Sequence, residues 1–339
     1  MDDNRFLKIG VGVIAVFLFG FFLKLAKPVL VPFLMALLLS FALTPVLDFL
    51  VRRKIPKSVA LVGILLFTFL VMYLIGVLFY SSGKTLAAEL PSYDDMLKTT
   101  LERIDHSIHN VRLKADLMTW IQGLNADKVR AVILSALGTF FSFMEELLLI
   151  LVFTIFILAE RGRLETKIVK ALSPERASAV SRTVLRIDRQ IQKYLAVQTL
   201  INLCLGILVT VITTLFGLPF PLVFGVLTFI FQYIPNLGSV VVTALPVLLA
   251  AFYFPTLGKA VALLFILGIV HFVLGNIFGP RLMGKGLGLS PLLVFFSLIF
   301  GAWLWGIEGM ILAVPILAVF KIIFSNIPSL RFLEDLMDM

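Results

Sequence analysis

The sequence predicts an all-α integral membrane protein with about six full transmembrane helices, two oppositely entering re-entrant helical hairpins and a small extracytoplasmic helical segment. Three observations predict it. The 339 residues are 60% hydrophobic and 14% charged, with a mean hydropathy of +1.07, where a soluble domain has about 45–50% apolar and 25% charged residues. The apolar runs approach helix length and are apolar all round, whereas outer-membrane strands are about ten residues of alternating polarity. Two of the runs are broken midway by proline and glycine. A soluble chain must cover its surface with polar groups, so this composition excludes a soluble enzyme, a disordered chain and a disulfide scaffold. The lone Cys204 has no partner for an intrachain disulfide.

Five apolar runs come first: Ile9–Leu23, Val29–Leu50, Val59–Tyr80, Ala131–Ala159 and Leu195–Phe216. Without a small-residue cleavage site after it, the first reads as an uncleaved anchor. Arg52, Arg53, Lys54 and Lys57 follow the second run, and residues 160–194 hold nine basic and four acidic residues. The positive-inside rule places both on the cytoplasmic side, so the net charge of +9 reads as loop charge and not as a nucleic-acid site. Parity then puts both termini inside, and residues 84–130, with seven bases and seven acids, outside. In that outer segment Pro91 fits a helix start, and Leu97, Leu101, Ile104, Ile108 and Val111 share a helical stripe. The stripe suits a cap on the membrane domain or a subunit contact. Residues 160–194 read as a helical pair broken at Ser173-Pro174-Glu175. Arg182, Arg186, Arg189 and Lys193 recur there as a lipid-headgroup face.

From Tyr194 to Gly258 no residue is charged. Leu222–Tyr233 and Ser239–Phe254 flank Ile234-Pro235-Asn236-Leu237-Gly238, and halves of about 18–24 Å each predict a re-entrant hairpin entered from outside. Gly258–Phe278 is a full span. A second interrupted run begins at Pro291, breaks around Trp305-Gly306-Ile307-Glu308-Gly309 and ends near Phe320, entered from the cytoplasm. Paired broken segments of opposite entry point to a transporter site near the midplane. The domains read as scaffold helices 1–83, the outer segment 84–130, the fourth span and cytoplasmic helices 131–194, a transport unit 195–320 and a cytoplasmic tail 321–339.

Gln232-Tyr233-Ile234-Pro235-Asn236-Leu237-Gly238 resembles the first-hairpin motif of the autoinducer-2 exporter family, the PerM-like bacterial permeases. The stretch from Asn276 to Pro291, with Gly279-Pro280-Arg281 and Gly284-Lys285-Gly286, resembles its second signature, and Gly301, Gly306, Gly309 and Ala313-Val314-Pro315 resemble its ending. The likeness is greatest to the branch of the autoinducer-2 exporter. The resemblance implies secondary export of a small polar solute across the bacterial inner membrane, with autoinducer-2 the name-giving substrate. It also implies sodium/proton antiport in some relatives, and a homo-oligomer, a pentamer first. Close relatives often carry a glutamate where this chain has Gly279, so coupling through that carboxylate does not carry over.

The candidate residues follow from polarity inside apolar runs. Gln198, Asn202, Gly206, Thr210 and Thr213 fall within an arc of about 120°, which suits either helix–helix hydrogen bonding or a solute path. Pro235, Asn236 and Gly238 form the first tip, with Gln232 before it and Asn276 at the end of the next span as further solute contacts. Gly306 and Gly309 mark the second tip, and Pro280 and Gly284 mark hinges. His271 and Glu308 are the groups for proton or ion coupling, Glu308 also a solute contact, each beside a bland reading: a carbonyl-bonded histidine, and a carboxylate solvated at an outer interface. Arg281 and Lys285 read as gating or headgroup-anchoring bases. No nucleophile–base set, metal-ligand cluster or cofactor motif is readable. A passive channel, a sodium or lithium/proton antiporter and a membrane-assembly protein without flux are the rival functions.

Overall fold

The computed structural model describes residues 3–107, 146–161, 173–254, 256–283, 288–327 and 330–337. Among them the regular structure is helical throughout, with no strand. The elements are α1 Asp3–Leu25, α2 Lys27–Arg52, α3 Lys57–Ser107, α4 over 146–160, α5 Pro174–Leu215, α6 Pro221–Phe231, α7 Leu237–Tyr253 and α8 Leu257–Phe272. A π-helical turn, Val273–Phe278, joins α8 to α9 Gly279–Met283; α10 Pro291–Trp305, α11 Ile307–Asn326 and α12 Arg331–Met337 follow. Among the described residues five stretches are long and apolar enough to cross a membrane: Lys27–Arg52, Lys57–Thr85, Val180–Leu215, Leu257–Phe278 and Ile307–Ser325. Much of their surface is apolar and outward, with Leu215, Phe67 and Phe265 at least 65% exposed, as lipid-facing side chains are.

Three boundaries differ from the sequence expectation. The third run does not stop at Tyr80, and Pro91 does not begin a new helix: α3 passes through it unbroken to Ser107. Proline removes a single N–H and crowds one carbonyl, a cost a long helix can absorb. Ile108, Val111 and the rest of the outer segment lie outside the described residues, as does the first half of the fourth run. Ser173 and Pro174 do open a helix, with the Ala177 N–H on the Ser173 carbonyl at 2.8 Å. That helix continues for 42 residues, so the basic stretch and the fifth run are one element. The second broken run ends at Asn326, not near Phe320, because no breaker intervenes after Pro315. Its second arm is therefore 20 residues long, about 30 Å and a full span by length.

The contacts divide the chain into two compact units, with divisions inside α3, before α4, inside α5 and inside α9. The first holds 1–66, 146–197 and 283–339. In it Leu47, Ala60, Leu61, Ile64 and Leu158 pack α2, α3 and α4 together, and Val31, Leu304, Trp305 and Leu312 join α2 to the α10–α11 hairpin. Thr154 Oγ1 donates to Ile150 O at 2.7 Å within α4, and Phe33 meets Phe153 edge-on. The α10–α11 hairpin closes on two glycines. A methyl on Gly309 would run into the Gly301 carbonyl, and Gly306 holds φ +76° at the bend.

The second unit holds 67–145 and 198–282, and with it the first broken segment. Val209, Leu218, Phe224, Ala250, Phe254, Leu263 and Leu267 form its core, drawn from α5 to α8 and their connections. There α5 ends in a Schellman motif: Leu218 N–H reaches Thr213 O at 3.0 Å, Gly217 N–H reaches Thr214 O at 2.9 Å, and Gly217 takes φ +74°. The chain then turns at once into α6, with Pro221 in its first turn.

Overpacking the α10–α11 contact tests this account. Gly309→Ala is expected to lower unfolding free energy by about 1–3 kcal/mol. Gly20→Ala, where an added methyl meets nothing within 4 Å, should be neutral or stabilising by less than about 1 kcal/mol. Denaturant unfolding in detergent micelles reads both.

Candidate functional site

Helix α6 stops inside an apolar stretch, and its last carbonyls decide what surrounds it. The Tyr233 N–H turns to Ile230 O at 3.3 Å, so Phe229 O loses its helical partner. Asn202 Nδ2 donates to that oxygen at 3.2 Å. Gln198 Nε2 donates to Gln232 O at 2.9 Å and to Asn202 Oδ1 at 3.0 Å. One turn of α5 thus supplies two amides that take up the end of a broken helix. Asn202 is fully buried. Beside them the Thr199 and Tyr233 hydroxyls share a 2.7 Å hydrogen bond.

The rest of the α5 stripe seats α6. A Cβ on Gly206 would lie 2.8 Å from Gly225 O, so the two backbones meet only because both residues are glycine. Thr210 and Thr213 turn their hydroxyls onto α5's own carbonyls, Gly206 at 2.9 Å and Val209 at 2.7 Å. These two bonds stay within α5, while the Gln198 and Asn202 amides and the Gly206–Gly225 approach join α5 to the α6 end.

The break itself is a tight reversal. Leu237 N–H donates to Pro235 O at 2.7 Å, enclosing Asn236 at φ +60°, ψ −50°. This is a γ-turn with positive φ at its centre, a rare conformation for a side-chain-bearing residue. The Asn236 residue is exposed, and its backbone carbonyl accepts from Ser239 Oγ at 2.8 Å and from Val240 N–H at 3.3 Å. Gly238 has to be glycine, because a methyl there would strike the Phe231 carbonyl. Gln232 Oε1 is buried and has no hydrogen-bond partner among the described residues. Residues 232–236 therefore carry an exposed amide and a bare acceptor, next to two carbonyls held only by side-chain amides. Such a set binds hydroxyl and amide groups, not fixed charge.

His271, on α8, is buried. Its Nδ1 lies 2.9 Å from Leu267 O and 3.4 Å from Thr243 Oγ1. A carbonyl only accepts, so Nδ1 carries the proton and Nε2 is a bare acceptor, buried without a partner among the described residues. Asn276 is exposed on the π turn, where Gly279 N–H reaches back five residues to Leu274 O. Pro280 follows; with no N–H it cannot bond the Asn276 carbonyl as an α-helix requires, so the ladder widens before it. Arg281 is exposed on α9, and Gly284 and Lys285 lie outside the described residues.

Glu308 opens α11 and pairs with Lys27 Nζ at 3.2 Å, both side chains partly exposed. Trp305 Nε1 donates to Leu23 O at 3.0 Å, and Lys24 Nζ stands 5.2 Å from the centre of the Trp303 ring. Glu146 lies within electrostatic reach of Glu308 and Lys27. The second tip is thus fastened to the corner between α1 and α2. Gly306 and Gly309 are its bend and close contact, and neither Lys27 nor Trp305 announced itself in the sequence, since the partners are about 280 residues apart. Thr199 had a signal: it falls on the same arc of α5 as Gln198 and Asn202. Among the described residues no group of three or more His, Cys, Asp or Glu side chains is placed to hold a metal ion.

Compared with known proteins, residues 11–329 match the family described as AI-2E family transporter. The chain is 30% identical to AI-2 transport protein TqsA of Escherichia coli over 315 residues, 92% of this chain and 89% of that protein. Two further relatives are each named "Putative transport protein". One, from Borreliella burgdorferi, is 30% identical over 94% of this chain and 87% of its own. The other, YhhT of Escherichia coli, is 28% identical over 88% and 84%.

The amide brace predicts a stability signature. Asn202→Leu leaves the Phe229 carbonyl and one Gln198 bond unmade, and is expected to cost about 1–3 kcal/mol. Gln198→Leu added to it should cost less than the sum of the single changes, because the two amides share one network. Asn236→Gly removes the positive-φ strain and should stabilise by about 1 kcal/mol. Denaturant unfolding of the micellar protein checks all three.

Proposed function

The chain belongs to the AI-2E transporter family, and from that membership we propose that it exports a small polar solute of the autoinducer-2 kind across the bacterial inner membrane by alternating access. The observation that carries this reading is the braced break at 232–236. A helix end in an apolar layer is tolerated where it is buried or lines a wet cavity, and here two side-chain amides hold it. Side-chain hydrogen bonds exchange partners far more readily than a helical ladder unwinds, so the break can reshape around a solute. A hydroxyl-rich solute brings donors for Gln232 Oε1 and the freed carbonyls, and the exposed Asn236 amide supplies donor and acceptor for its other groups. The transport role expected for residues 195–320 we assign to 195–326, which hold both broken segments in full. Both termini are assigned to the cytoplasm by the distribution of Lys and Arg.

A second reading, exchange of sodium or lithium for protons, draws on His271. A buried imidazole with one bare nitrogen is a proton acceptor inside a membrane helix.

Counterflow of labelled autoinducer-2 in proteoliposomes tests the first reading. Wild type is expected to show saturable counterflow. Asn236→Ala should reduce it by about tenfold, the loss of roughly one good polar contact, while Glu308→Gln should leave it within about twofold, since exposed ion pairs contribute little. Absence of counterflow with intact protein removes this solute. A sodium pulse that changes lumenal pH in wild type and not in His271→Asn would carry the second reading in its place.

A further inference from the structure

The cytoplasmic part of α5 carries a row of bases that the transport reading does not use. At 100° per residue, Arg182, Arg186, Arg189 and Lys193 fall within about 60° of one another, and all four are exposed. Leu200, Ile207 and Val211 of the same helix fall in the same sector, 52%, 55% and 48% exposed. Exposed leucine, isoleucine and valine on a membrane-spanning stretch face lipid, so the bases below them face lipid too. The one acidic residue between Arg176 and Leu215 is Asp188. It lies about 100° round from the row and is engaged by Arg161 at 2.6 Å, so it does not neutralise the row. Arg186, Arg189 and Lys193 have no ion-pair partner among the described residues, whereas Arg182 Nε is turned along the helix onto Ser178 O at 3.2 Å.

Depth sorts the four. The uncharged run begins at Tyr194, so Lys193 stands at the hydrocarbon boundary. At 1.5 Å per residue Arg189 lies about 6 Å beyond it, Arg186 about 10 Å and Arg182 about 16 Å. The headgroup layer on each side is about 5–8 Å thick. Lys193 and Arg189 sit within it, the long Arg186 side chain reaches back into it, and Arg182 lies beyond it. Guanidinium groups grip phosphate through two parallel hydrogen bonds, and an ammonium at the boundary adds a point charge. We propose that Arg186, Arg189 and Lys193 form a binding face for the phosphate of an anionic phospholipid in the cytoplasmic leaflet. The inference rests on the membrane placement of α5 and not on the identity of the solute.

The test uses the full chain in nanodiscs of equal phosphatidylglycerol and phosphatidylcholine, with lipids retained on the released protein counted by native mass spectrometry. Wild type should retain phosphatidylglycerol in preference. Each of Arg189→Gln and Lys193→Gln should lower that preference by about fivefold, and Arg182→Gln should leave it within twofold. Arg189→Lys, which keeps the charge, should retain part of the preference and guards against a variant that fails to fold. Excess inorganic phosphate should not displace the retained lipid; displacement would assign the face to a soluble phosphate and overturn the proposal. Equal retention of the two lipids by wild type, or an Arg182→Gln loss as large as that of Arg189→Gln, would overturn it as well. Counterflow of the same variants in proteoliposomes separates the readings, since solute transport can fail while lipid preference stands.

Discussion

A backbone carbonyl in an apolar layer has to find a donor, and the organisation around α6 follows from that requirement at Phe229 and Gln232. Without water the alternatives are a ladder partner or a side chain. Ending α6 at Phe231 removes the ladder partner, so Asn202 and Gln198 have to stand beside it. Their reach is short, which brings the α6 backbone close to α5 and makes Gly206 and Gly225 the residues that permit the approach. The same closeness leaves little room for the chain to turn, and the reversal is taken up at Asn236 in a backbone conformation that most side chains avoid. Amide pair, glycine pair and strained turn are thus one solution to one polar problem.

The second broken segment meets the problem differently. Gly306 lets the chain bend while hydrogen bonding continues on either side: its N–H reaches Ala302 O at 2.9 Å, and its carbonyl receives Met310 N–H at 3.2 Å. The tip is held from outside by Trp305 on Leu23 and Glu308 on Lys27. One break is polar and internally braced. The other is a sharp helical hairpin, closed by the Gly301–Gly309 contact and anchored at its corner.

Much of this was legible in the residues. Pro221, Pro235 and Gly238 bound α6 and α7 to within a few positions, because proline and glycine act on the local backbone and need no tertiary partner. The arc of Gln198, Asn202 and Gly206 showed which face of α5 had to meet protein or a cavity and not lipid. What the arc could not show was that the amides serve carbonyls: main-chain acceptors have no letter in a sequence. Pro91 misled for a related reason, since a proline's tolerance depends on the helix around it and not on the residue alone. The contacts of Trp305 and Lys27 join opposite ends of the chain, and neither local spacing nor composition foretells them. The π turn had one visible cause, Pro280, but its position one turn earlier depends on how the ladder redistributes.

That turn has a mechanical side. A π turn is an α-helix with one residue too many, the equivalent of a dislocation in a crystal row. Such a defect moves by passing single hydrogen bonds from one neighbour to the next, at far less expense than melting the helix. Pro280 pins it at one end, since the Asn276 carbonyl cannot regain an α bond across a residue without an N–H. Its free direction is back along α8, toward His271. Each step in that direction would advance the intervening side chains by about 1.5 Å and turn them by about 100°, converting a small backbone slip into a change of the face they present.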